Sequence, residues 1–326
     1  MVHDDLLASL VRLGLSSPDD QIHFERLTGG VASDIWRVDL GARVICVKRA
    51  LAKLNVDADW YAPVERNAYE ANWMRVAGSV VPDAVPELLG QDEVSGSLAM
   101  AYLPPDRFPL WKDELHRGNA DPKVAAGVGD RLAKIHGASA ADPAMPDRFP
   151  TDEIFYDIRL EPYLEATAAV HPDRAKALKR LVEITQSNKR ALVHGDVSPK
   201  NILVGPNGPV FLDAECAWFG DPAFDLAFCL NHLLLKGLWV PEVKQGFLEC
   251  FDALTRTYLG GVDWEPPGDL EARAAALLPG LLLGRVDGKS PVEYLTERRD
   301  KDKVRRVARA FLEQPPSRID DLRNAW

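Results

Sequence analysis

The stretch His194-Gly195-Asp196-Val197-Ser198-Pro199-Lys200-Asn201 decides how this 326-residue chain is interpreted. It joins two predicted strands, ALVHGD and NILVG, and therefore forms a tight loop between them. Asp196 supplies a carboxylate that can accept the proton of an attacking hydroxyl. Asn201, five residues later, supplies an amide oxygen that can bind magnesium without adding a negative charge. The alternative is an Asx-rich turn in which Asp196 only caps its own backbone.

A second carboxylate follows close behind this loop. The apolar strand PVFLDA carries Asp213 near its end, and Glu215 comes two residues later. Hard cations such as Mg²⁺ prefer oxygen ligands of this kind. We therefore predict that Asn201 and Asp213 bind Mg²⁺ beside Asp196. For Glu215 two roles stay open: a ligand of a second metal ion, or an acceptor beyond the direct ligands.

A glycine turn lies near the N-terminus, in Leu27-Thr28-Gly29-Gly30-Val31-Ala32-Ser33. It separates two strands, whereas a Walker A loop or a dinucleotide fingerprint precedes a helix. A hairpin tip of this type can fold over the phosphates of ATP and donate backbone N–H groups. Gly29, Gly30 and Ser33 are therefore candidate nucleotide contacts, and the alternative is a turn that merely reverses the chain.

Lys48 lies on the next predicted strand, VICVK, and a predicted helix over 64–77 follows it. A lysine that points from a strand toward the α- and β-phosphates needs a carboxylate to hold it. The helix offers Glu65 and Glu70, and we favour Glu70 because it falls mid-helix. Taken alone, Lys48 would be interpreted first as a solvated lysine at a strand edge.

Six features follow one another along the chain: a glycine hairpin, a strand lysine, a helix glutamate, an interlobe strand (Leu98 to Leu103), the Asp196 loop and a strand carrying Asp213. The loop has the H-x-D-x-x-x-x-N spacing of a kinase catalytic loop, and Lys48 lies as the Lys of V-A-I-K does. A bilobal kinase requires this order, and chance agreement of all six is improbable.

The rest of the chain reads as mostly helical. An amphipathic helix is predicted over 4–15, and hydrophobic periodicity beyond Pro105 predicts helices over 122–140, 153–170, 173–188, 222–235, 240–259, 270–286 and 296–313. The strands of residues 191–213 are predicted to form a pair of hairpins on this helical part.

From about residue 20 to residue 300, the chain resembles the aminoglycoside phosphotransferase and choline kinase-like family. Gly195 stands where the H-R-D of protein kinases has Arg, and LDAECAWFGDPAFDLA (212–227) replaces an activation segment. The resemblance implies an α+β, bilobal protein-kinase-like fold, with a small antiparallel-sheet N-lobe (1–103) and a mainly helical C-lobe (104–326). It also implies ATP and Mg²⁺, and a hydroxyl acceptor such as an amino sugar, aminoglycoside, sugar or amino alcohol.

The same resemblance implies roles for single residues. Met100 and Tyr102 of the interlobe strand would contact adenine through backbone groups. Asp225 would organise the catalytic loop without touching substrate. His194 and His136 would be buried residues that shape the site, and neither would act as a general base.

Contacts to the acceptor are predicted in two places. Arg285 and Asp287 lie in a polar turn between helices and could face the acceptor; the alternative is a helix-ending turn with solvated charges. Glu161, with Tyr163, lies in the predicted helix over 153–170 and could bind a cationic or sugar acceptor.

Composition limits the class of partner. The net charge of −10 argues against a nucleic-acid or anionic-membrane binder, which would use clustered Lys and Arg, and suits a cationic or neutral acceptor. Four scattered cysteines indicate free thiols. No export signal is visible, and the most apolar stretch, 274–283, is too short to span a bilayer. A cytoplasmic enzyme is expected, and its oligomeric state stays open.

Two alternatives belong to other classes. A catalytically silent nucleotide-binding protein would commonly have lost one of Lys48, Asp196, Asn201 and Asp213, all of which are present. A protein kinase would need an activation loop, but the segment between Asp213 and Asp225 is short and apolar.

Overall fold

The computed structural model describes residues 2–27, 33–51 and 64–326. Its N-terminal part is an antiparallel five-stranded sheet with the order β1-β2-β3-β5-β4. The strands are β1 (His23–Leu27), β2 (Ser33–Asp39), β3 (Val44–Ala50), β4 (Leu88–Asp92) and β5 (Ser97–Ala101). The predicted hairpin, the strand that carries Lys48 and the interlobe strand are thus confirmed, although β5 ends two residues before Leu103.

The two faces of this sheet are covered by different helices. Helix α1 (Val2–Arg12) covers one face and shares a small apolar core with Ile45 and Val47 of β3. Helix α2 (Arg66–Val80) covers the other face and joins the large core of the C-terminal part. Because side chains alternate along a strand, Lys48 points away from α1 and toward α2. This alternation brings Lys48 to the cleft between the two parts.

The C-terminal part is mainly helical. Its helices are α3 (Trp111–His116), α4 (Pro122–Ala140), α5 (Met145–Arg148), α6 (Asp152–Phe155), α7 (Ala166–Val170), α8 (Ala175–Ser187), α9 (Ala223–Trp239), α10 (Lys244–Gly260), α11 (Pro267–Asp287), α12 (Arg298–Glu313) and α13 (Ile319–Ala325). Helix α9 is buried on almost every face, which identifies it as the central helix of this part. Short α3, α5 and α13 were not predicted from the sequence.

Within the described ranges, no single helix is long and apolar enough to cross a bilayer. The segments Ala223–Trp239 and Pro241–Gly260 meet the criterion together, but the chain bends by 116° between them.

Residues 194–201, the candidate catalytic loop, are flanked by strands that pair differently from the prediction. They are β6 (Ala191–Val193), β7 (Ile202–Gly205), β8 (Gly208–Phe211) and β9 (Trp218–Gly220). Strands β7 and β8 form the predicted hairpin, whereas β6 pairs with β9 and not with β7. The first predicted hairpin is therefore wrong. The chain does not turn back along β6 after the loop. The strand that pairs with β6 is β9, which follows the Asp213 segment.

The predicted helix over 153–170 is interrupted by a π-helix, Tyr156–Glu165, between α6 and α7. Pro162 explains the change, since proline has no N–H to donate and its ring clashes with the carbonyl four residues earlier. That carbonyl, on Ile158, accepts from Arg159 Nη1 at 2.6 Å. The carbonyl of Pro162 accepts from Lys289 N at 3.0 Å. The widened turns let Arg159 reach the catalytic loop.

Candidate active site

The backbone of the catalytic loop is fixed by Asp225 at the start of α9. Its carboxylate accepts from the N–H of His194 at 2.7 Å and from the N–H of Gly195 at 2.8 Å. Gly195 has φ +80°, and a Cβ there would lie 2.7 Å from the carbonyl oxygen of Cys216. Only glycine meets both conditions without strain. Asp225 thus has the organising position that the resemblance implied.

The two histidines near this loop are structural. His136 Nε2 lies 3.2 Å from Asp225 Oδ2, and its Nδ1 lies 2.8 Å from the hydroxyl of Tyr258. His194 Nδ1 accepts from the N–H of Asp196 at 3.1 Å, so its Nε2 carries the proton toward the carbonyl of Leu212. Burial lowers the pKa of His194 and keeps it neutral.

Asp196 is buried and faces two cations on one oxygen. Its Oδ2 lies 2.9 Å from Arg159 Nη2 and 3.1 Å from Lys200 Nζ. Burial alone would raise the pKa of Asp196, but Lys200 and then Arg159 hold that pKa well below its ordinary value. No described residue makes a hydrogen bond to Oδ1. Asp196 is therefore an ionised carboxylate with one oxygen available to a ligand.

Arg159 was not predicted from the sequence. It comes from the π-helix, and besides Asp196 its guanidinium bonds the carbonyl oxygens of Gly195 and Ile158. The one local signal is an arginine between two apolar residues, Ile158 and Leu160, which are both buried. That pattern suggests a buried charge but does not name its partner.

Lys48 is held by two carboxylates, one from each side of the cleft. Its Nζ lies 2.6 Å from Glu70 Oε2 and also pairs with Asp213 Oδ1. The expected partner Glu70 is thus the one in contact, whereas Glu65 is exposed at the start of the helix. Burial raises the pKa of Glu70 to about 7 despite the attraction of Lys48. Lys48 is therefore a positioned cation between the sheet and the catalytic loop.

Asp213 and Asn201 are oriented side by side. The N–H of Leu212 donates to the carbonyl of Asn201 at 2.9 Å, and Asn201 Nδ2 donates to the carbonyl of Asp196 at 3.2 Å. Asp213 has φ +66°, an uncommon region for a residue other than glycine, and its side chain is 29% exposed. A strained, partly open carboxylate beside an amide oxygen fits Mg²⁺, which often takes one or two protein oxygens and completes its shell with phosphates and water.

The protein oxygens alone do not form a complete metal site. In the part of the chain that the structure describes, no group of three or more His, Cys, Asp or Glu side chains could hold an ion. Glu215 accepts from Arg66 Nε at 2.8 Å, and Arg66 is fully buried. Of the two roles left open for Glu215, this contact favours the acceptor and does not support the ligand of a second metal.

The predicted nucleotide contacts are only partly visible. Gly29 and Gly30 lie outside the described residues. Ser33, at the start of β2, is buried, and its Oγ has no hydrogen-bond partner among the described residues. Met100 is buried in β5, and the Tyr102 ring lies 5.6 Å from the guanidinium of Arg37. Their roles toward a nucleotide stay predictions.

The three residues predicted to face the acceptor have partners within the protein. Asp287 accepts from Arg305 Nη2 at 2.7 Å and Nε at 2.9 Å, and lies 2.8 Å from His171. Both its oxygens are engaged, so Asp287 joins helices here and departs from the prediction. Arg285 donates to Ser290 Oγ at 2.9 Å and is buried. Glu161 forms a partly exposed pair with Lys289, which leaves its predicted role untested.

Similarity to known proteins extends over most of the chain. Residues 23–259 match a family model described as the phosphotransferase enzyme family. A methylthioribose kinase of Pectobacterium carotovorum subsp. carotovorum (strain PC1) is 25% identical over 259 residues, or 70% of this chain. The alignment spans 64% of the length of that relative.

Two solved structures share the fold. A choline kinase from Cryptosporidium parvum Iowa II superposes with a TM-score of 0.60 at 10% identity, covering 96% of this chain and 97% of that one. The ADP-bound aminoglycoside phosphotransferase APH(2'')-Ib gives 0.52 at 14% identity, covering 97% and 98%. The predicted bilobal, protein-kinase-like architecture is therefore confirmed. With a family model that matches well over half of its residues, this chain belongs to the phosphotransferase enzyme family.

Proposed function

We propose that this protein transfers the γ-phosphate of ATP to a hydroxyl group of a small molecule. One observation supports the proposal most strongly: Asp213 pairs with Lys48 of the sheet, while its neighbour Leu212 is bonded to Asn201 of the catalytic loop. A phosphate-binding cation, two metal-binding oxygens and the carboxylate of Asp196 are thereby joined in one cleft. Phosphoryl transfer depends mainly on such positioning and on charge stabilisation.

The residues divide the reaction between them. Asp196 Oδ1 would accept the hydrogen bond of the acceptor hydroxyl and orient its oxygen toward the γ-phosphorus. A new O–P bond forms there, the bond from the γ-phosphorus to the β,γ-bridging oxygen breaks, and ADP leaves. The low pKa of Asp196 makes it a weak base. A weak base suffices because the transition state is loose and the proton can leave late.

Charge on the phosphates would be balanced from the other side of the cleft. Lys48, fixed by Glu70, would meet the α- and β-phosphates. Asn201 and Asp213 would hold Mg²⁺, which when bound neutralises charge on the β- and γ-phosphates. When the nucleotide binds, Lys48 would give up part of its contact with Asp213 and contact the phosphates instead.

The experiment that tests this proposal searches for the acceptor molecule. Purified protein is incubated with ATP and MgCl₂ and a panel of amino sugars, aminoglycosides, sugars, methylthioribose and amino alcohols, and ADP release and phosphorylated product are both measured. We expect stoichiometric transfer to at least one hydroxyl compound. Nucleotide binding without transfer to any acceptor would instead support a catalytically silent relative.

A further inference from the structure

A continuous line of contacts leads away from Asp196 into the helical part. The Arg159 guanidinium, paired with Asp196, lies 5.9 Å from the ring centre of Tyr163 and 5.8 Å from that of Phe228. The Arg285 guanidinium also lies over the Tyr163 ring, 5.4 Å from its centre. The predicted acceptor residue Arg285 is thus connected to the catalytic carboxylate through one aromatic ring.

Helix α9 continues this line with polar residues that have no partner. The His232 ring packs edge-on against Phe228 at 5.2 Å, and its Nε2 makes no hydrogen bond to any described residue. Burial, with the charges of Arg285 and Lys236, lowers the pKa of His232 far below its ordinary value, so the ring is neutral. Asn231 beside it is fully buried, and both its amide atoms lack partners in the described part of the chain.

Lys236 lies one helical turn further and is only 2% exposed. Its Nζ lies 4.3 Å from the ring centre of Tyr294 and 4.7 Å from that of Trp239, with no hydrogen bond or ion pair to any residue that the structure describes. Burial, and then the charge of Lys112, lowers the pKa of Lys236 to about 7. Trp239 is half-buried and stacks at 4.0 Å on the exposed His116, so this aromatic group reaches the surface.

The unpartnered atoms form a set. Several buried polar atoms of this region make no hydrogen bond to a described residue. They are Ser198 Oγ, Asn231 Nδ2 and Oδ1, His232 Nε2, Arg285 Nε and Tyr294 OH. A buried polar atom that nothing solvates destabilises the fold. Ser198 is two residues from Asp196. A polar ligand, or water, must therefore lie against them.

The charge of this region is basic. Arg159 and Lys200 pair with Asp196, whereas neither Lys236 nor Arg285 forms an ion pair with a carboxylate among the described residues. Three nearby carboxylates already have partners: Glu293 with Lys112 at 2.6 Å, Glu161 with Lys289, and Asp287 with Arg305. Asp113 also acts on Lys236 but forms no ion pair with a described residue. A cationic acceptor would be repelled here, because like charges at short range disfavour binding.

We propose that the acceptor of the phosphate carries an anionic group, a carboxylate or a phosphate ester, that binds against Lys236 and Arg285 while a hydroxyl of the same molecule reaches Asp196. This inference rests on the proposed function and narrows its substrate class. It differs from the expectation drawn from composition, since a net charge of −10 for the whole chain does not describe the charge at this site.

Four probes with one six-carbon polyol chain test the proposal: gluconate, sorbitol 6-phosphate, sorbitol and glucamine. Their binding to the full chain with Mg²⁺ and a non-hydrolysable ATP analogue is measured by calorimetry, and their phosphorylation is measured with ATP. We expect at least one anionic probe to bind about tenfold more tightly than sorbitol, with glucamine weakest. The first two probes distinguish a carboxylate from a phosphate ester.

Variants separate charge from folding. Lys236→Met keeps an apolar chain of similar length in the buried position, and we expect it to abolish the preference for the anionic probes. The matched control is Lys134→Met, which removes an exposed lysine of α4 paired with Asp130 and leaves the preference intact. A second readout is the uptake of a proton on binding. Since the pKa of Lys236 is about 7, anion binding at pH 8 takes up a proton, and calorimetry in two buffers detects it.

The proton uptake is assigned to Lys236 only if its charged neighbours keep their protonation states on binding. The charged groups that face it are Lys112, Glu293, Arg285 and Asp113. The uptake must therefore vanish in Lys236→Met.

The outcomes distinguish this inference from the proposed function. Phosphorylation of glucamine or sorbitol in preference to both anionic probes overturns the inference and leaves the phosphotransferase function standing. Equal or undetectable binding of all four probes also overturns it, because water would then satisfy the polar atoms. If no acceptor of any class is phosphorylated, the proposed function fails, whereas the binding preference still decides whether the anion site exists.

Discussion

Replacing Arg159 by methionine removes the cation that joins the π-helix to the catalytic loop. Three contacts are lost: the 2.9 Å pair with Asp196 and the bonds to the carbonyl oxygens of Gly195 and Ile158. All three contacts come from the guanidinium cation and are charge-assisted, and removing one partner of a buried ion pair costs about 3–5 kcal/mol. We therefore expect the free energy of unfolding to fall by about 4 kcal/mol, in line with breaking a buried ion pair.

The effect on stability has a definite pH dependence. Arg159 and Lys200 hold the pKa of Asp196 below its unfolded value, so the pair stabilises the fold above that unfolded value. The contribution is lost as the pH falls through the folded pKa. The stability difference between wild type and Arg159→Met should therefore be largest near neutral pH and shrink on acidification.

Activity gives the second readout. Without Arg159, Asp196 keeps only Lys200, its pKa rises, and its oxygens are less well aimed. We expect kcat to fall about a hundredfold and the acid limb of the kcat profile to move to higher pH. Arg159→Lys should restore part of both, because it keeps the charge.

The matched control is Arg180→Met, which breaks an exposed pair with Glu183 on α8. Such surface pairs contribute about 0–1 kcal/mol, so urea unfolding and kinetics should change little. The reasoning about Arg159 is refuted if Arg159→Met keeps wild-type kcat and an unmoved pH profile, or if it costs no more stability than the control.

Two further predictions concern the same cleft. Lys48→Met should lower kcat/KM for ATP by about 10² to 10³. The protein should stay folded, because the pKa of Glu70 is already about 7 and its carboxyl can take up a proton. An unchanged kcat/KM in steady-state assays would contradict the role of Lys48. Gly195→Ala should destabilise the protein by about 1–3 kcal/mol more than Gly41→Ala, because both variants share the strain of positive φ but only Gly195 would press a Cβ against Cys216. Equal urea midpoints for the two glycine variants would show that the close approach is relaxed.

The sequence predicted those site residues that belong to a local pattern. Asp196 and Asn201 share one loop, Asp213 follows an apolar strand and Lys48 lies within one, so spacing and alternation suffice to propose them. The choice of Glu70 over Glu65 also followed from helix position. These residues meet in the structure because each is fixed by its own short element.

Arg159 could not be predicted in this way. It reaches Asp196 from 37 positions earlier in the chain, and only because Pro162 and its neighbours form a π-helix where periodicity indicated an ordinary helix. The pairing of β6 with β9 failed for a similar reason, since it depends on contacts across the Asp213 segment. Non-local pairing of this kind leaves little trace in local residue patterns.

The acceptor side departs furthest from the sequence-based expectation. Asp287 was predicted to face the acceptor, but its carboxylate is bound by Arg305 of α12 and by His171, the residue that follows α7. Conversely, Lys236 lies within an apolar helix and carried no motif. Its significance depends on which charges surround it, and that is a property of the folded protein.

The most direct measurement of the central claim is phosphate transfer by wild type and Asp196→Asn, with nucleotide binding measured in parallel. Asparagine keeps the shape of the side chain but cannot accept the hydroxyl proton. We expect transfer to fall about 10³-fold. Binding of Mg²⁺ and a non-hydrolysable ATP analogue should stay unchanged within about a factor of three, because the proposed metal and phosphate contacts come from Lys48, Asn201 and Asp213. Transfer at the wild-type rate in Asp196→Asn would contradict the account.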